Sequence, residues 1–291
     1  MRIATRGSAL ARWQAEHVAA LLGGAELVIV DTAGDRDKTT SLSELGGRGI
    51  FVKEVQAAVL DGRADLAVHS AKDLPSNPAL QPDGLVIAAV PERADPRDVL
   101  VGSALAEIPP GGTIATGSAR RRALLADLRP DLTFADLRGN IDTRLAKAEG
   151  FAAVVMAKAA LDRLGLTDRI TEVLEPHAVI PQVAQGALAI ECREDDAATL
   201  DALRALDHEP SRRAVDAERA WLAAIGGGCD LPAGAHATLD GGDVVLTAVL
   251  ASYDGRIVLR DQERGAAPGA GLAATMLERG GRWLLDNTVG T

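Results

Sequence analysis

The stretch DLAVHSAKD, residues 65–73, sets a short apolar segment directly before a turn that carries a hydroxyl, an ammonium and a carboxylate group. The segment 65–69 predicts a β-strand, and the residues after it predict the loop that leaves the strand. The same order returns in GTIATGSARRR, residues 112–122, where small polar residues separate a strand from an arginine-rich helix. Strands that alternate with helices indicate α/β layers with mainly parallel sheets.

The rest of the chain extends this pattern and then departs from it. Further strands are predicted at residues 2–5, 26–30, 132–137 and 152–156, and helices at residues 9–22 and 51–60. Of these strands, 26–30 (ELVIV) is expected to be buried because of its run of β-branched residues. The C-terminal part predicts a small α+β unit, with helices at 211–225 and 272–285 and a β-hairpin formed by 244–250 and 256–259.

The bulk composition limits the class of protein. A chain of 291 residues predicts two or three domains, and the sequence PPGG at 109–112 predicts a hinge between the first and the second. Hydrophobic residues make up 47% and charged residues 25%, as in a soluble globular protein. A net charge of −10 argues against broad attraction to nucleic acid or to an anionic membrane. Aromatic residues make up only 2%, too few for a base-stacking surface.

Two cysteines, Cys192 and Cys229, do not make a disulfide framework, and we expect reduced thiols in a cytoplasmic protein. The arginines near the N-terminus argue against an export signal, and no run approaches the ~20 apolar residues of a membrane span. The two cysteines also lack the spacing of metal ligands, so no metal site is predicted.

Four predicted strand-to-loop junctions carry cations or hydroxyl groups. They are Arg6-Gly7-Ser8, Ser70-Ala71-Lys72-Asp73, Thr116-Gly117-Ser118 with Arg120 and Arg121 after it, and Arg138-Gly139-Asn140 with Arg144 after it. Open α/β sheets bind ligands beyond the carboxyl ends of their strands, and helix N-termini there favour anions. The sequence therefore predicts a ligand with several carboxylate or phosphate groups.

Three residues near these junctions allow more than one interpretation. Asp73 could act as an acid/base group, or it could be an ordinary helix N-cap. Cys229 lies in GGGCDLP, residues 226–232, where glycines allow a bulky group to approach a nucleophilic thiol, but a small inert residue in a turn is equally consistent. His69 alternates with apolar residues and is expected to be packed, and Cys192 is expected to be an inert strand residue.

The chain resembles the hydroxymethylbilane synthases, also called porphobilinogen deaminases. The matching segments are RIATRGSALARWQA (2–15), GGRGIFVKE (46–54), DLAVHSAKDLP (65–75), ERADPRDVL (92–100), ATGSARRR (115–122), LRGNIDTRL (137–145), LDRL (161–164), QGALAIECR (185–193) and GGGCDLPAGAHA (226–237). They are spread over most of the chain. The resemblance implies that Cys229 holds a dipyrromethane primer by a thioether bond, to which four porphobilinogen units are added before hydroxymethylbilane is released.

The resemblance also implies roles for individual residues. Asp73 falls on the catalytic aspartate of the family. The residues at positions that contact the primer are Lys72, Ser70, Arg120, Arg121, Thr116 and Ser118. Those at positions that contact the substrate are Arg6, Arg138, Arg144, Arg163, Lys53 and Arg48. Each pyrrole carries an acetate and a propionate, so a site rich in cations suits this chemistry.

The expected architecture follows from the same resemblance. Two lobes similar to periplasmic solute-binding proteins, residues 1–91 with 187–204 and residues 97–181, are followed by a cofactor-carrying α+β domain, residues 209–291. Three positions depart from the family pattern. Arg48 stands where lysine is frequent, and Ala160 and Ala184 stand where glycine is frequent.

Two other classes of function remain open from the residues. A cytosolic anion-binding module would explain the basic strand ends, but it would leave Asp73 and Cys229 unexplained. A phosphate-handling transferase would need features the chain lacks, because it has no Gly-x-x-x-x-Gly-Lys loop. The acidic composition without an apolar stripe predicts a monomer.

Overall fold

The computed structural model describes residues 1–32, 52–228 and 231–288, with side chains through residue 287. The chain forms two compact units. The first is Met1–Ala94 with Gly186–Arg213, and the second is Asp95–Gln185 with Ala214–Thr291.

The elements are numbered in chain order. The strands are β1 (Arg2–Arg6), β2 (Glu26–Val30), β3 (Leu66–Ser70), β4 (Leu85–Ala89), β5 (Asp98–Gly102), β6 (Thr113–Ala115), β7 (Thr133–Ala135), β8 (Ala153–Ala157), β9 (Glu172–Leu174), β10 (Leu188–Arg193), β11 (Ala233–Asp240), β12 (Asp243–Ala251) and β13 (Val258–Gly265). The α-helices are α1 (Ala9–Leu21), α2 (Lys53–Leu60), α3 (Ala119–Leu128), α4 (Ile141–Ala146), α5 (Lys158–Arg163), α6 (Ala197–Arg204), α7 (Glu209–Ala224), α8 (Gly269–Met276) and α9 (Arg282–Thr288).

The first unit contains a five-stranded sheet in the order β2-β1-β3-β10-β4. Strands β2, β1 and β3 are parallel, and β10 is antiparallel to both of its neighbours, so four of the five strands run in one direction. Both faces of the sheet are buried. Ile3 and Leu66 pack with α1 on one face, and the next residues along their strands, Ala4 and Ala67, pack with α2 on the other.

The second unit contains a sheet with the same arrangement, in the order β7-β6-β8-β5-β9. Strands β7, β6 and β8 are parallel, and β5 is antiparallel to β8 and β9. Its core includes Leu100, Ile114, Leu124 and Val155, and each of these side chains is almost fully buried. The α/β prediction, with parallel-rich sheets, is confirmed.

A separate antiparallel sheet, β11-β12-β13, forms the C-terminal part of the second unit together with α8, α9 and the part of α7 that follows Arg213. The β11–β12 hairpin closes with Asp240 opposite Asp243, so Gly241 and Gly242 form its two-residue turn, both with positive φ. The predicted β12–β13 hairpin is present. The sequence prediction missed β11, because its alanines, glycine and histidine have little β propensity.

Two further predictions are wrong. Residues 109–112 do not form a hinge between the units, because the boundary falls between Ala94 and Asp95, and β5 already belongs to the second sheet. This stretch is a tight turn before β6, in which a Cβ on Gly112 would lie 2.5 Å from Ile108 Cγ2. Strand β2 is present, but only Val30 is buried because β2 lies at the edge of its sheet.

Among the helices of the described residues, none combines the length and the apolar character that crossing a bilayer requires. The division of the chain into three domains remains a prediction.

Candidate active site

The end of β3 leads directly to the predicted catalytic residue. The chain next makes a 3-10 turn, Ala71–Asp73, in which the Leu74 N–H donates to the Ala71 carbonyl at 3.3 Å. The Ala71 N–H donates to the Ala187 carbonyl at 3.0 Å, which ties the turn to the chain just before β10. Asp73 is the last residue of this turn, and no described residue donates a hydrogen bond to its carboxylate. The N-cap interpretation of Asp73 is therefore wrong.

A pocket lies at the carboxyl ends of β1 and β3, within the first unit. Its empty volume, which includes open solvent at the mouth, is about 450 Å³. Its polar lining residues are Arg6, Ser8, Gln14, His69, Ser70 and Asp73. Apolar residues of α1, β3 and the start of α2 form the rest of the lining. The structure thus brings three of the predicted site residues, Arg6, Ser70 and Asp73, to one pocket at the ligand-binding edge of an α/β sheet.

Of the polar pocket residues, Ser8 was predicted only as part of the junction Arg6-Gly7-Ser8, and Gln14 is missing from the sequence-based predictions. Ser8 Oγ accepts a hydrogen bond from the Ala11 N–H at 3.3 Å and caps α1. The Gln14 side chain is buried and donates from Nε2 to Ser70 Oγ at 2.8 Å. Gln14 follows Ala11, another pocket residue, by three positions on α1, and this spacing was the available signal that Gln14 faces the same site.

The two predicted lysines of this unit differ in their positions. Lys72 is half-buried and shares the 3-10 turn with Asp73. Lys53 is the exposed first residue of α2. Its neighbours Val52 and Val55 line the pocket, whereas Lys53 itself does not.

A second group of predicted residues meets at the start of α3, within the second unit. The Ser118 N–H donates to Thr116 Oγ1 at 3.2 Å, and Ser118 Oγ accepts from the Arg121 N–H at 3.4 Å, which caps the helix. Between them, a Cβ on Gly117 would lie only 3.1 Å from the Leu137 carbonyl oxygen. The turn needs a small residue there because the two chain segments approach closely.

Arg120 and Arg121 are buried, and their guanidinium groups share one carboxylate, that of Asp98 at the start of β5. Arg120 donates from Nη2 to Asp98 Oδ2 at 2.8 Å and from Nη1 to the Ile180 carbonyl at 2.6 Å. Arg121 donates to Asp98 Oδ1 from Nη2 at 2.7 Å and from Nε at 3.1 Å, and from Nη1 to the Val155 carbonyl at 3.1 Å. These two arginines, predicted as ligand contacts, therefore already have internal partners.

The charge of this cluster does not cancel. Burial alone would raise the pKa of Asp98, but the positive charges of Arg120 and Arg121 outweigh it and hold that pKa well below its usual value. Burial lowers the pKa of Arg120, and the Asp98 carboxylate opposes that change. Two guanidinium groups and one carboxylate leave one net positive charge beneath the start of α3, where the helix also favours anions.

The segment that leads out of the second unit completes this cluster. Gln185 donates from Nε2 to Asp98 Oδ1 and to the Pro96 carbonyl, both at 2.8 Å. The preceding residue, Ala184, has φ of 59°, a left-handed conformation that favours glycine, and its N–H donates to Glu218 Oε2 at 2.6 Å. Glycine is frequent at this position in the family because it adopts a left-handed conformation without strain, whereas alanine does not.

The other predicted arginines of the second unit lie on its helix ends and loops. Arg138 is exposed in the loop between β7 and α4. Arg144 donates from Nε to the Gly139 carbonyl at 2.8 Å, so its guanidinium lies over the start of α4. Arg163 ends α5 and is half-buried, and burial lowers its pKa to about 10.

The structure tests the prediction for one of the two cysteines. Cys192 is fully buried in β10, and burial raises its pKa to about 11, which confirms the prediction of an inert strand residue. Cys229 lies outside the described residues, as does Arg48. Their predicted roles remain predictions.

Comparison with known proteins identifies two matching family models. One is described as "Porphobilinogen deaminase, dipyromethane cofactor binding domain" and matches residues 1–201. The other is described as "Porphobilinogen deaminase, C-terminal domain" and matches residues 213–278.

Individual proteins align with the chain over most of its length. A porphobilinogen deaminase of Nitratidesulfovibrio vulgaris (strain Miyazaki F) is 45% identical, with 94% of this chain and 90% of that protein covered. A porphobilinogen deaminase of Roseiflexus sp. is 48% identical, with 88% of this chain and 86% of that protein covered. A solved ABC transporter protein of Parabacteroides distasonis is 14% identical with a TM-score of 0.41, and 70% of this chain and 71% of that one are covered.

Proposed function

The chain belongs to the porphobilinogen deaminase family, and on this premise we propose how its residues carry out hydroxymethylbilane synthesis. The protein is a transferase that condenses four porphobilinogen molecules onto a dipyrromethane primer, with loss of one ammonia at each addition. Water then releases hydroxymethylbilane. The observation that carries the residue assignment is the Asp73 carboxylate, which lines a pocket with Arg6 and receives no hydrogen bond from a described residue.

Asp73 handles the charge and the proton of each addition. The bond between the aminomethyl carbon and the protonated nitrogen of porphobilinogen breaks, and that nitrogen, already carrying three protons, leaves as ammonia with the bonding electrons. Positive charge then spreads onto the pyrrole nitrogen of the substrate, where the Asp73 carboxylate stabilises it. After the new carbon–carbon bond has formed, Asp73 accepts the proton that leaves the attacked ring carbon and passes it to solvent.

The dipyrromethane supplies, when bound, the nucleophilic ring carbon to which the substrate is joined. The donors of this chain fit such a group, because it carries several carboxylates and the start of α3 combines hydroxyl groups with a net positive charge. Cys229 would hold the dipyrromethane by a thioether bond, and Lys72, Ser70, Thr116 and Ser118 would contact its carboxylates. Arg120 and Arg121 act on it through their charge, since the hydrogen bonds that their side chains donate among the described residues go to Asp98 and to main-chain carbonyls.

The remaining cations bind the acetate and propionate groups of the substrate and of the growing chain. They are Arg6, Arg138, Arg144, Arg163, Lys53 and Arg48. Of these, Arg6 lines the pocket with Asp73, so it is assigned to the incoming substrate. Arginine suits this task because its planar fork donates two parallel hydrogen bonds to one carboxylate.

Three domains carry this activity in our proposal. Residues 1–91 with 187–204 and residues 97–181 form binding-protein-like lobes, and residues 209–291 present Cys229. The protein acts as a cytoplasmic monomer without a nucleic-acid or membrane partner, in keeping with its net charge of −10. Light scattering after size exclusion tests the monomer, and a mass near twice 30.1 kDa would contradict it.

Intact-mass spectrometry tests the tethered primer. Wild-type protein from cells that make porphobilinogen should carry a covalent adduct with the mass of a dipyrromethane, and Cys229→Ser should lack it. Cys192→Ser is the matched control and should keep the adduct, because that thiol is buried in β10. An unmodified wild-type mass, together with no ammonia release from porphobilinogen, would favour the anion-binding module instead.

A further inference from the structure

Strand β3 is held by side chains on both faces at the point where it reaches Asp73. Successive residues of a strand point to opposite faces of the sheet, so Ser70 faces α1 and His69 faces α2. On the α1 side, Gln14 donates to Ser70 Oγ at 2.8 Å. On the α2 side, His69 Nε2 lies 3.0 Å from Oε2 of Glu191 in β10. Asp73 follows only three residues after Ser70.

Glu191 is the centre of the contact on the α2 side. Its side chain is 1% exposed, and Gln56 of α2 donates from Nε2 to both of its carboxylate oxygens, at 3.1 and 3.0 Å. Among the described residues, no arginine or lysine forms an ion pair with Glu191. A buried carboxylate is costly without partners, so its contacts with Gln56 and His69 must offset its loss of hydration.

His69 is buried next to Glu191. The ring is almost fully buried, and Nε2 has no other polar partner among the described residues, although the N–H is turned away from the line to the carboxylate. The charged groups that share the pocket with His69 are Arg6 from β1 and Asp73, while α1 and α2 line it with uncharged residues. Glu191 is the carboxylate that lies beside the ring, at a distance of 3.0 Å from Nε2, and the ring itself lies in the pocket wall.

We propose that Glu191, acting through His69 and supported by Gln56, is a positioning residue for the Asp73 carboxylate. The reason is that Asp73 has no hydrogen bond of its own from the described residues, so its location is set by the backbone that carries it. That backbone is fixed by the two side-chain contacts at the end of β3 and by the Ala71–Ala187 main-chain bond. The inference rests on the proposed function, because it assigns Glu191 to the reaction of Asp73.

The kinetic test uses the primer-loaded protein with Glu191→Gln, His69→Gln and both changes together. A misplaced reacting group lowers turnover by up to about a hundredfold, and we expect Glu191→Gln to lower kcat by tenfold to a hundredfold at a KM within about twofold. The double variant should lose no more than Glu191→Gln alone, because the two residues act as one unit. Glu16→Gln, an exposed carboxylate on α1, is the matched control and should keep wild-type kcat.

The proposal is overturned by a folded Glu191→Gln protein with wild-type kcat, by a raised KM at unchanged kcat, or by losses that multiply in the double variant. If Glu191→Gln does not fold, the kcat of His69→Gln and the exchange of the His69 ring proton in the wild type provide the test. The wild-type ¹H–¹⁵N spectrum should show a ring N–H proton of His69 that exchanges slowly with solvent, identified by its loss in His69→Gln. Rapid exchange of that proton would overturn the proposal. Failure of the proposed function is a separate result, because the wild type would then release no ammonia from porphobilinogen.

Discussion

Asp73 and Asp98 lie at corresponding ends of two separate sheets that have the same strand arrangement, yet their surroundings differ. Asp73 follows the carboxyl end of β3 in the first unit, is half-buried, and accepts no hydrogen bond from a described residue. Asp98 lies opposite Ala157, the carboxyl end of β8, is fully buried, and accepts bonds from Arg120, Arg121 and Gln185.

The difference shows that the same position in this type of sheet can serve either stability or reactivity. A carboxylate whose oxygens are all engaged by buried donors stabilises the fold and cannot take part in proton transfer. A carboxylate without such donors adds little to stability, but it can meet a substrate and accept a proton. The comparison therefore predicts that substitutions at Asp98 act on stability and that substitutions at Asp73 act on rate.

The largest stability effect should come from Asp98→Asn. The change leaves two buried guanidinium groups without their carboxylate, and removing one partner of a buried ion pair typically costs about 3–5 kcal/mol. Urea denaturation of the wild type and the variant measures the free energy of unfolding. Asp136→Asn is the control, because that carboxylate is exposed and pairs with Arg122 at the surface. A loss below about 1 kcal/mol at Asp98 would remove the contrast between the two aspartates.

The dependence of this effect on pH follows from the lowered pKa of Asp98 in the folded protein. A carboxyl group with a lowered folded pKa stabilises the protein above its unfolded pKa, about 3.9, and loses that contribution as the pH falls further. The difference in unfolding free energy between wild type and Asp98→Asn should therefore be constant from pH 7 to pH 5 and shrink below about pH 4. Denaturation curves at a series of pH values measure it, and a difference that stays constant down to pH 3 would contradict the assignment.

A smaller effect is expected at Ala184, beside the Asp98 cluster. Its left-handed conformation costs alanine roughly 1–2 kcal/mol, whereas glycine adopts it freely but loses more entropy on folding. Ala184→Gly should therefore stabilise the protein by about 0.5 kcal/mol, seen as a higher urea midpoint. Ala187→Gly, whose φ is not in the left-handed region, is the matched control and should destabilise. Destabilisation at both positions would show that the strain at Ala184 is relieved elsewhere.

Local patterns predicted the strand that leads to Asp73 and the helix that carries the arginine partners of Asp98, but they did not predict β5, which carries Asp98 itself. The alternation of apolar segments with Gly- and Ser-containing turns located β3 with Asp73 and β6 with α3. The resemblance to the family indicated that the chain returns to the first unit near residue 186. The pocket residue Gln14 could have been found from helical spacing, and Ser8 was part of a predicted junction.

The partnerships of Asp98 could not be predicted, because they depend on contacts between distant parts of the chain. Arg120 follows Asp98 by 22 residues and Gln185 follows it by 87, and nothing local connects them. The same reason explains the errors. The burial of β2 depends on which strand lies at the sheet edge, and the absence of a hinge at 109–112 depends on β5 pairing with β8.

The most direct test of the account is ammonia release from porphobilinogen by Asp73→Asn, with primer loading checked by intact mass in the same sample. We expect a rate about 10²–10⁴-fold below the wild type, with the free energy of unfolding changed by no more than about 0.5 kcal/mol. Asp83→Asn, an exposed carboxylate of the same unit, should behave as the wild type. A loaded Asp73→Asn protein that releases ammonia at the wild-type rate would contradict it.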